Sequence, residues 1–334
     1  MNSFFSKIWV LFVVAIAVQP MYGQHLSAQK KVLKLMGSRF EITAVADNDT
    51  LAWAAINAGI AEVQRIENII SSWDPKSQTS KINRMAGLRP VAVDRELYDL
   101  VFRAKKISRL TGGAFDISFA SMDRIWHFDG TMTEMPAPEK VAAARAKINW
   151  QNIILDPADH TVFLKEKGMK IGFGAIGKGY AANRAKAIMQ NMKGMHGGVV
   201  NASGDLITWG KSADPNGWTV KIADPKEKGK VLGWLPVQDM AIVTSGDYER
   251  FVEFGGKRYA HIIDPRTGYP TTGIKSVTIV CPDTELADAL ATSVFVLGKK
   301  QGLELVNKMK GIECLIVTDD NDIVTSENLK LNYY

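Results

Sequence analysis

Three groups of residues in this 334-residue chain have types and spacings suited to chemistry. Asp288 and Thr292 stand four apart in the run from Glu285 to Leu297, which reads as a helix, so a carboxylate and a hydroxyl share one face. Mg2+ takes such oxygen ligands at ~2.1 Å and completes its shell with water and substrate phosphates. Read alone, the pair fits a buried Asp and Thr bonded to backbone as well. The segment Gly172-Phe173-Gly174-Ala175-Ile176-Gly177-Lys178-Gly179-Tyr180 packs four glycines into eight residues and leads into a helical stretch. Glycines let backbone N–H groups approach an anion, and Lys178 adds charge at the helix start, so a phosphate cradle and a plain packing turn both fit. The run His261-Ile262-Ile263-Asp264-Pro265-Arg266-Thr267-Gly268 closes a strand in a polar turn. There His261 suits a general base or a structural role. Thr244-Ser245-Gly246 offers hydroxyls at another strand end, as ligand contacts or turn chemistry. No zinc-ligand spacing or Ser-His-Asp elbow occurs, which argues against hydrolases built on either.

The elements that must hold these groups follow from periodicity. Ile56, Gly59, Val63, Ile66 and Ile70 recur at three and four, predicting an amphipathic helix over Thr50 to Ile70 with Asp47 or Asp49 as cap. A second helix is expected from Arg95 to Leu110, with Leu97, Val101 and Ala104 on one face and Gly112-Gly113 ending it. Asn152 to Asp156 and Thr161 to Lys165 read as a hairpin. From Gly197 to Ile279 the chain reads mostly as strands and turns, including Leu206 to Trp209, Ala241 to Thr244 and Arg258 to Ile263. Helices from Glu285 to Leu297 and from Gln301 to Met309 follow, then a strand from Cys314 to Thr318. Strand blocks and helices in this irregular order predict an α+β fold, a mixed β-sheet core with packed helices.

Composition narrows the class. With 46% hydrophobic residues, the chain has a real core and is not disordered. Its net charge of +6 is interspersed rather than clustered, which argues against a nucleic-acid partner. Lys7, the apolar run Ile8 to Val18 and the small or polar residues near Gly23 have the layout of a secretory signal peptide. The expected division is therefore a signal peptide over 1–23 and one domain over 24–334, not membrane-spanning after cleavage. No Cys lies near the cleavage region for lipid attachment. Cys281 and Cys314 sit in apolar runs, as buried thiols or, in an oxidising compartment, one disulfide.

Taken together, these segments resemble the FAD:protein FMN transferase (ApbE) family. The likeness runs through Met36-Gly37-Ser38, then Ser71-Ser72-Trp73 to Asn83, then Thr111-Gly112-Gly113-Ala114-Phe115-Asp116 and Trp126. It continues through the Lys178-Gly179-Tyr180 segment, Ser203-Gly204-Asp205, Thr244-Ser245-Gly246 and the His261 run, and closes with Ala287-Asp288-Ala289-Leu290-Ala291-Thr292. The resemblance implies an FAD cleft between two intimately joined lobes. Met36, Trp73, Ala114, Phe115, Asp116, Gly172, Lys178 and Ile262 would face FAD. Mg2+ would be held by the Ala175 carbonyl with Asp288 and Thr292, and His261 would activate the acceptor hydroxyl. The implied reaction moves FMN from FAD onto a Thr or Ser hydroxyl of an acceptor protein and releases AMP. The implied acceptor is an exported subunit of a membrane redox complex, and the implied location is the periplasm, without a lipid anchor. The sequence departs from the family pattern in having Gly172 where Asp is frequent and Gln78 where Glu is common. An FAD pyrophosphatase yielding FMN and AMP, and a non-catalytic flavin-binding protein, are the competing readings.

Overall fold

Alternating burial organises this chain around one large sheet, seen in a computed structural model that describes residues 26–123, 125–129, 131–223, 230–246, 251–330 and 332. The expected signal peptide lies outside these residues. Fifteen strands occur among the described residues: β1 (Ser27–Leu35), β2 (Ser38–Ala46), β3 (Val91–Ala92), β4 (Ile153–Asp156), β5 (Thr161–Leu164), β6 (Met195–Ala202), β7 (Asp205–Gly210), β8 (Trp218–Ala223), β9 (Val231–Val237), β10 (Ala241–Gly246), β11 (Phe251–Phe254), β12 (Lys257–Ala260), β13 (Ile274–Cys281), β14 (Glu313–Thr318) and β15 (Ile323–Thr325). Helices are α1 (Asp49–Ile70), α2 (Gln78–Arg84), α3 (Arg95–Leu110), α4 (Pro138–Arg145), α5 (Gly177–Gln190) and α6 (Thr284–Asn307), with 3-10 helices at Ile117–Met122 and Trp150–Asn152.

The central sheet runs β1-β2-β6-β7-β10-β13-β14-β15. The α+β class is as expected, but each pairing in this sheet is antiparallel where a mixed sheet was expected. For two of these pairings the reason is connectivity. Tight turns join β1 to β2 and β6 to β7, and a tight turn always reverses the strand. The β1–β2 hairpin escapes sequence reading because its outer strand alternates Lys30, Val32 and Lys34 on an exposed side, which gives no apolar stripe to detect.

Period-two alternation splits the inner strands between two cores. Val277, Ile279 and Cys281 of β13, with Cys314 and Ile316 of β14, join the main core beneath α1, α5 and α6. Val280, Leu315 and Val317 face the other way, onto Ile222, Leu235 and Val237 of the β8–β9 hairpin. A third cluster gathers Met122, Ile125, Trp126, Val141, Ala144 and Ile148 beside the cleft described below. Both cysteines are buried and unpaired. Burial pushes the Cys281 thiol up to about 11 and raises that of Cys314 as well.

Helix α1 begins as the periodicity predicts, but its cap is Asn48 rather than Asp47 or Asp49. Asn48 is extended and its side chain accepts from Leu51 N at 2.9 Å. Asp47 is drawn instead to His196 Nε2, at 2.6 Å, and Asp49 accepts from Ser27 Oγ. Helix α3 has the expected bounds, and the strand expected over Arg258 to Ile263 ends at Ala260, so that His261 falls in a bend. Helix α6 breaks at Gly298 (φ 79°), between the two helices that the sequence suggests.

Three helices are tied by charge. Arg65 of α1 bonds Glu62 at 2.8 Å and Glu96 of α3 at 2.6 Å, while Arg184 of α5 reaches Glu62 at 3.1 Å. The Arg65 bond holds both carboxyls below their ordinary 4.5. A folded pKa below the unfolded one gives stability that is present above the unfolded value and lost as pH falls through the folded one. Glu62→Gln is therefore expected to cost about 1–3 kcal/mol at pH 7 and to flatten the fall of Tm between pH 5 and pH 3, read by thermal denaturation. In the native protein neither thiol is expected to react with iodoacetamide at pH 8, and both should react in denaturant, read by mass.

Candidate functional site

Strand reversals bring the chemistry to one end of the sheet. The β1–β2 turn at Met36-Gly37, the β6–β7 turn at Ser203-Gly204 and the end of β10 at Thr244–Gly246 lie side by side through the pairs Phe40↔Ala202, Ala202↔Asp205 and Val243↔Asp205. Both residues of the first turn have positive φ, 48° and 72°. That is the geometry of a two-residue hairpin with glycine second. Met36 is held there by its N–H, which donates to Glu67 Oε2 at 3.0 Å. These three edges form one wall of a cleft of about 600 Å³. Ala114 to Ile117 and Phe119 make another wall, the turn at His261 to Ile263 and Pro265 a third, and the start of α5 with the first turns of α6 supplies the rest.

The two helices meet because of Gly179. A Cβ there would lie 2.2 Å from Thr284 O and 2.8 Å from Asp288 Cβ, so only glycine lets α5 approach α6 this closely. The Gly179 N–H, one of the free donors of the first turn of α5, is satisfied by Asp288 Oδ2 at 3.0 Å. Asp288 is almost fully buried, and that burial, with Asp205 nearby, pushes its carboxyl up to about 8 against the pull of Lys178. Asp205 is buried too, which raises its carboxyl, and its Oδ2 lies 2.5 Å from Lys178 Nζ.

The structure gathers most of the residues singled out from sequence. Met36, Ala114, Phe115, Asp116, Lys178, Ile262, His261, Ala175, Asp288 and Thr292 all line the cleft. Asp116 does so with its carboxylate already engaged. Its Oδ1 accepts from Ser118 N and Oγ at 2.8 and 2.6 Å, and its Oδ2 from Trp150 N at 2.8 Å, so it fixes the loop as well as facing the cavity. Burial raises its carboxyl. His261 is exposed at the cleft edge, with Phe128 edge-on at 6.4 Å.

Two expected FAD contacts, Trp73 and Gly172, are not among the lining residues. Trp73 stands 76% exposed on the loop after α1, where its N–H donates to Ser71 Oγ at 3.3 Å. The loop is pinned by polar bonds, Ser77 Oγ donating to Ser71 O and accepting from Ser80 N–H, and the indole is left outside. Gly172 is buried behind the wall. Its N–H donates to Ile117 O at 2.9 Å, and a Cβ would sit 3.1 Å from Ala120 Cβ and 3.8 Å from Ser72 Oγ. A side chain here requires Ala120 to give by a few tenths of an ångström. Gly172 to Gly177 carries the G-x-G-x-x-G spacing, but no strand leads into it and the sheet is antiparallel, so the structural context of the dinucleotide fingerprint is missing.

Asp205 belongs to the Ser203-Gly204-Asp205 segment, but no local signal assigns it a role, because its pairing with Lys178 joins residues 27 apart in the chain. Among the described residues no three His, Cys, Asp or Glu side chains cluster as a metal cage. The donors present are a buried carboxylate, a hydroxyl one turn on and a backbone carbonyl. This hard oxygen set fits Mg2+ completed by substrate phosphates rather than a protein-only cage.

Comparison with known proteins agrees with this architecture. The sequence matches the ApbE family over residues 36–316. This chain belongs to the ApbE family. Its relatives include proteins named FAD:protein FMN transferase. One from Klebsiella pneumoniae is 30% identical over 301 residues, covering 90% of this chain and 92% of its own. One from Treponema pallidum is 32% identical over 295 residues, covering 83% and 81%. Among solved structures, the ApbE protein of Thermotoga maritima matches with a TM-score of 0.82 at 31% identity, over 90% of this chain and 97% of its own. The apo flavinyl transferase ApbE of Pseudomonas stutzeri shares the fold, with a TM-score of 0.80 at 23% identity over 90% and 95%.

Within this ApbE fold, Gly179→Ala is expected to force α5 and α6 apart. The cost should be roughly 1–3 kcal/mol or more, read as a lowered Tm, because the added carbon meets backbone that cannot rotate away.

Proposed function

We propose that this chain is an FAD:protein FMN transferase that uses Mg2+ to move FMN from FAD onto a Thr or Ser hydroxyl of an acceptor protein, with AMP leaving. The observation that carries this reading is the convergence on one cleft of Ala175, Lys178, Asp288 and Thr292 on one side and His261 on another. The cavity, about 600 Å³, is within the range of small-molecule sites. Family membership and the names of the relatives support the same reading.

In this mechanism Asp288, Thr292 and the Ala175 carbonyl would hold the cation, which when bound would supply positive charge against that developing on the pyrophosphate oxygens. Lys178 sets its ammonium beside the same phosphates, while Met36, Ile262 and the Ala114–Asp116 loop orient the dinucleotide. His261, at the exposed rim, accepts the proton of the incoming hydroxyl, and the FMN-side phosphorus is attacked with the phosphoanhydride bond to AMP breaking. The nucleophile belongs to the partner, so the base is placed where a protein can reach it rather than deep in the cleft.

We place the protein in the periplasm, exported by residues 1–23 and acting on an exported subunit of a membrane redox complex. The support is the layout of that leader. Among the described residues no helix is long and apolar enough to cross a membrane.

Incubation with FAD, Mg2+ and a flavin-accepting protein should raise the acceptor mass by one FMN, read by mass spectrometry. An unchanged acceptor with release of free FMN and AMP would select the pyrophosphatase instead, and FAD left intact would select a flavin-binding protein. Asp288→Ala should abolish transfer, and His261→Ala should lower kcat by roughly 10²–10⁴-fold with FAD binding kept, read by single-turnover kinetics and flavin fluorescence. Full activity in Asp288→Ala would refute the metal assignment.

A further inference from the structure

Two carboxylates, Asp205 and Asp288, line the cleft while almost fully buried, at 2% and 4% exposure. Lys178 acts on both, through an ion pair with Asp205 and by its charge on Asp288. It directly precedes Gly179, whose N–H donates to Asp288 Oδ2 at 3.0 Å, so its side chain leaves the backbone beside that carboxylate. Its ammonium nevertheless lies 2.5 Å from Asp205 Oδ2, across on the first residue of β7. The nearby Glu285 carboxylate is engaged elsewhere, with Arg103 Nε at 2.7 Å.

An ammonium and a divalent cation compete for the same carboxylate. A lysine on a flexible four-carbon stem, with no fixed fork, goes to whichever anion is placed for it. We propose that Asp205 is a positioning residue that draws the Lys178 ammonium onto itself and so leaves the Asp288 carboxylate available to the divalent cation. This deepens the Mg2+ reading of Asp288 and rests on it. Asp205 then has two effects: it keeps a positive charge at the cleft for the phosphates, and it prevents that charge from filling the cation site when no cation is bound.

The proposal makes an asymmetric prediction. Removing Asp205's charge releases Lys178 toward Asp288 and handicaps cation binding, whereas removing Lys178 removes the competitor. Mn2+ binding, followed by electron paramagnetic resonance without FAD, separates the two and leaves aside any contact of Lys178 with the dinucleotide. Asp205→Asn is expected to weaken Mn2+ binding roughly ten-fold or more, since one unit charge at contact range is involved. Lys178→Met is expected to bind Mn2+ at least as tightly as the wild type. The double variant Lys178→Met/Asp205→Asn should return to within about three-fold of the wild type, because a buried pair replaced on both sides leaves no orphaned charge.

Asp205→Asn binding like the wild type overturns the proposal, as does equal weakening in both single variants, which would make the pair a scaffold only. A double variant as weak as Asp205→Asn also overturns it, by making Asp205 a direct ligand. If Asp205→Asn does not fold, the other two variants decide against the wild type: Lys178→Met weakened, or the double variant weakened ten-fold or more, overturns the proposal, and Lys178→Met at least as tight with the double variant within about three-fold supports it. A wild-type protein that binds no Mn2+ defeats the metal reading itself, a failure distinct from these.

Discussion

The approach of α5 to α6 at Gly179 is the constraint on which the cleft depends. It brings the start of a helix, with its unsatisfied N–H groups, against the face of another helix that carries a buried carboxylate; the Gly179 N–H bond to Asp288 closes the junction there, and Asn183 ties α5 to Asp283 and Thr284 at the start of α6. That contact sets how far Ala175 and Lys178, just before and within the first turn of α5, stand from Asp288 and Thr292. A wider separation would leave the same residues in the chain with no shared site.

The electrostatics follow from that packing. Burying Asp205 and Asp288 near one another is unfavourable unless positive charge is supplied, and the fold supplies one ammonium directly. A site left short of positive charge and lined by oxygen is what a divalent cation and an anionic substrate would complete together. The antiparallel sheet contributes by collecting its hairpin turns at one end. Backbone held at positive φ, at Met36, Gly37, Ser203 and Gly204, borders the cavity there.

How much of this was readable beforehand depended on the range of each interaction. Helices α1 and α3 were readable because three-and-four spacing of Ile56, Val63 and Ile66, or of Leu97, Val101 and Ala104, is a local signal. The Asn48 cap was missed in favour of its neighbours because Asp47, Asn48 and Asp49 are all competent caps, and tertiary partners at His196 and Ser27 took two of them. The β1–β2 hairpin was hidden by its solvent-facing lysines. Trp73 and Gly172 are placed at the cofactor only by resemblance, and neither is in the cavity lining: Gly172 packs against Ala120 and Ser72, and Trp73 stands exposed on its loop.

By itself the sequence determined the family, the α+β class, most helices and which residues carry oxygen, charge or a titrating ring. These are properties of residue type and short spacing. Only the tertiary structure decided that Lys178 pairs with Asp205, that Asp116 spends its carboxylate on Ser118 and Trp150, and that the sheet is antiparallel throughout its pairings. Those outcomes are choices among competing partners far apart in the chain. Burial and strand direction settle them, and neither is written in any local window.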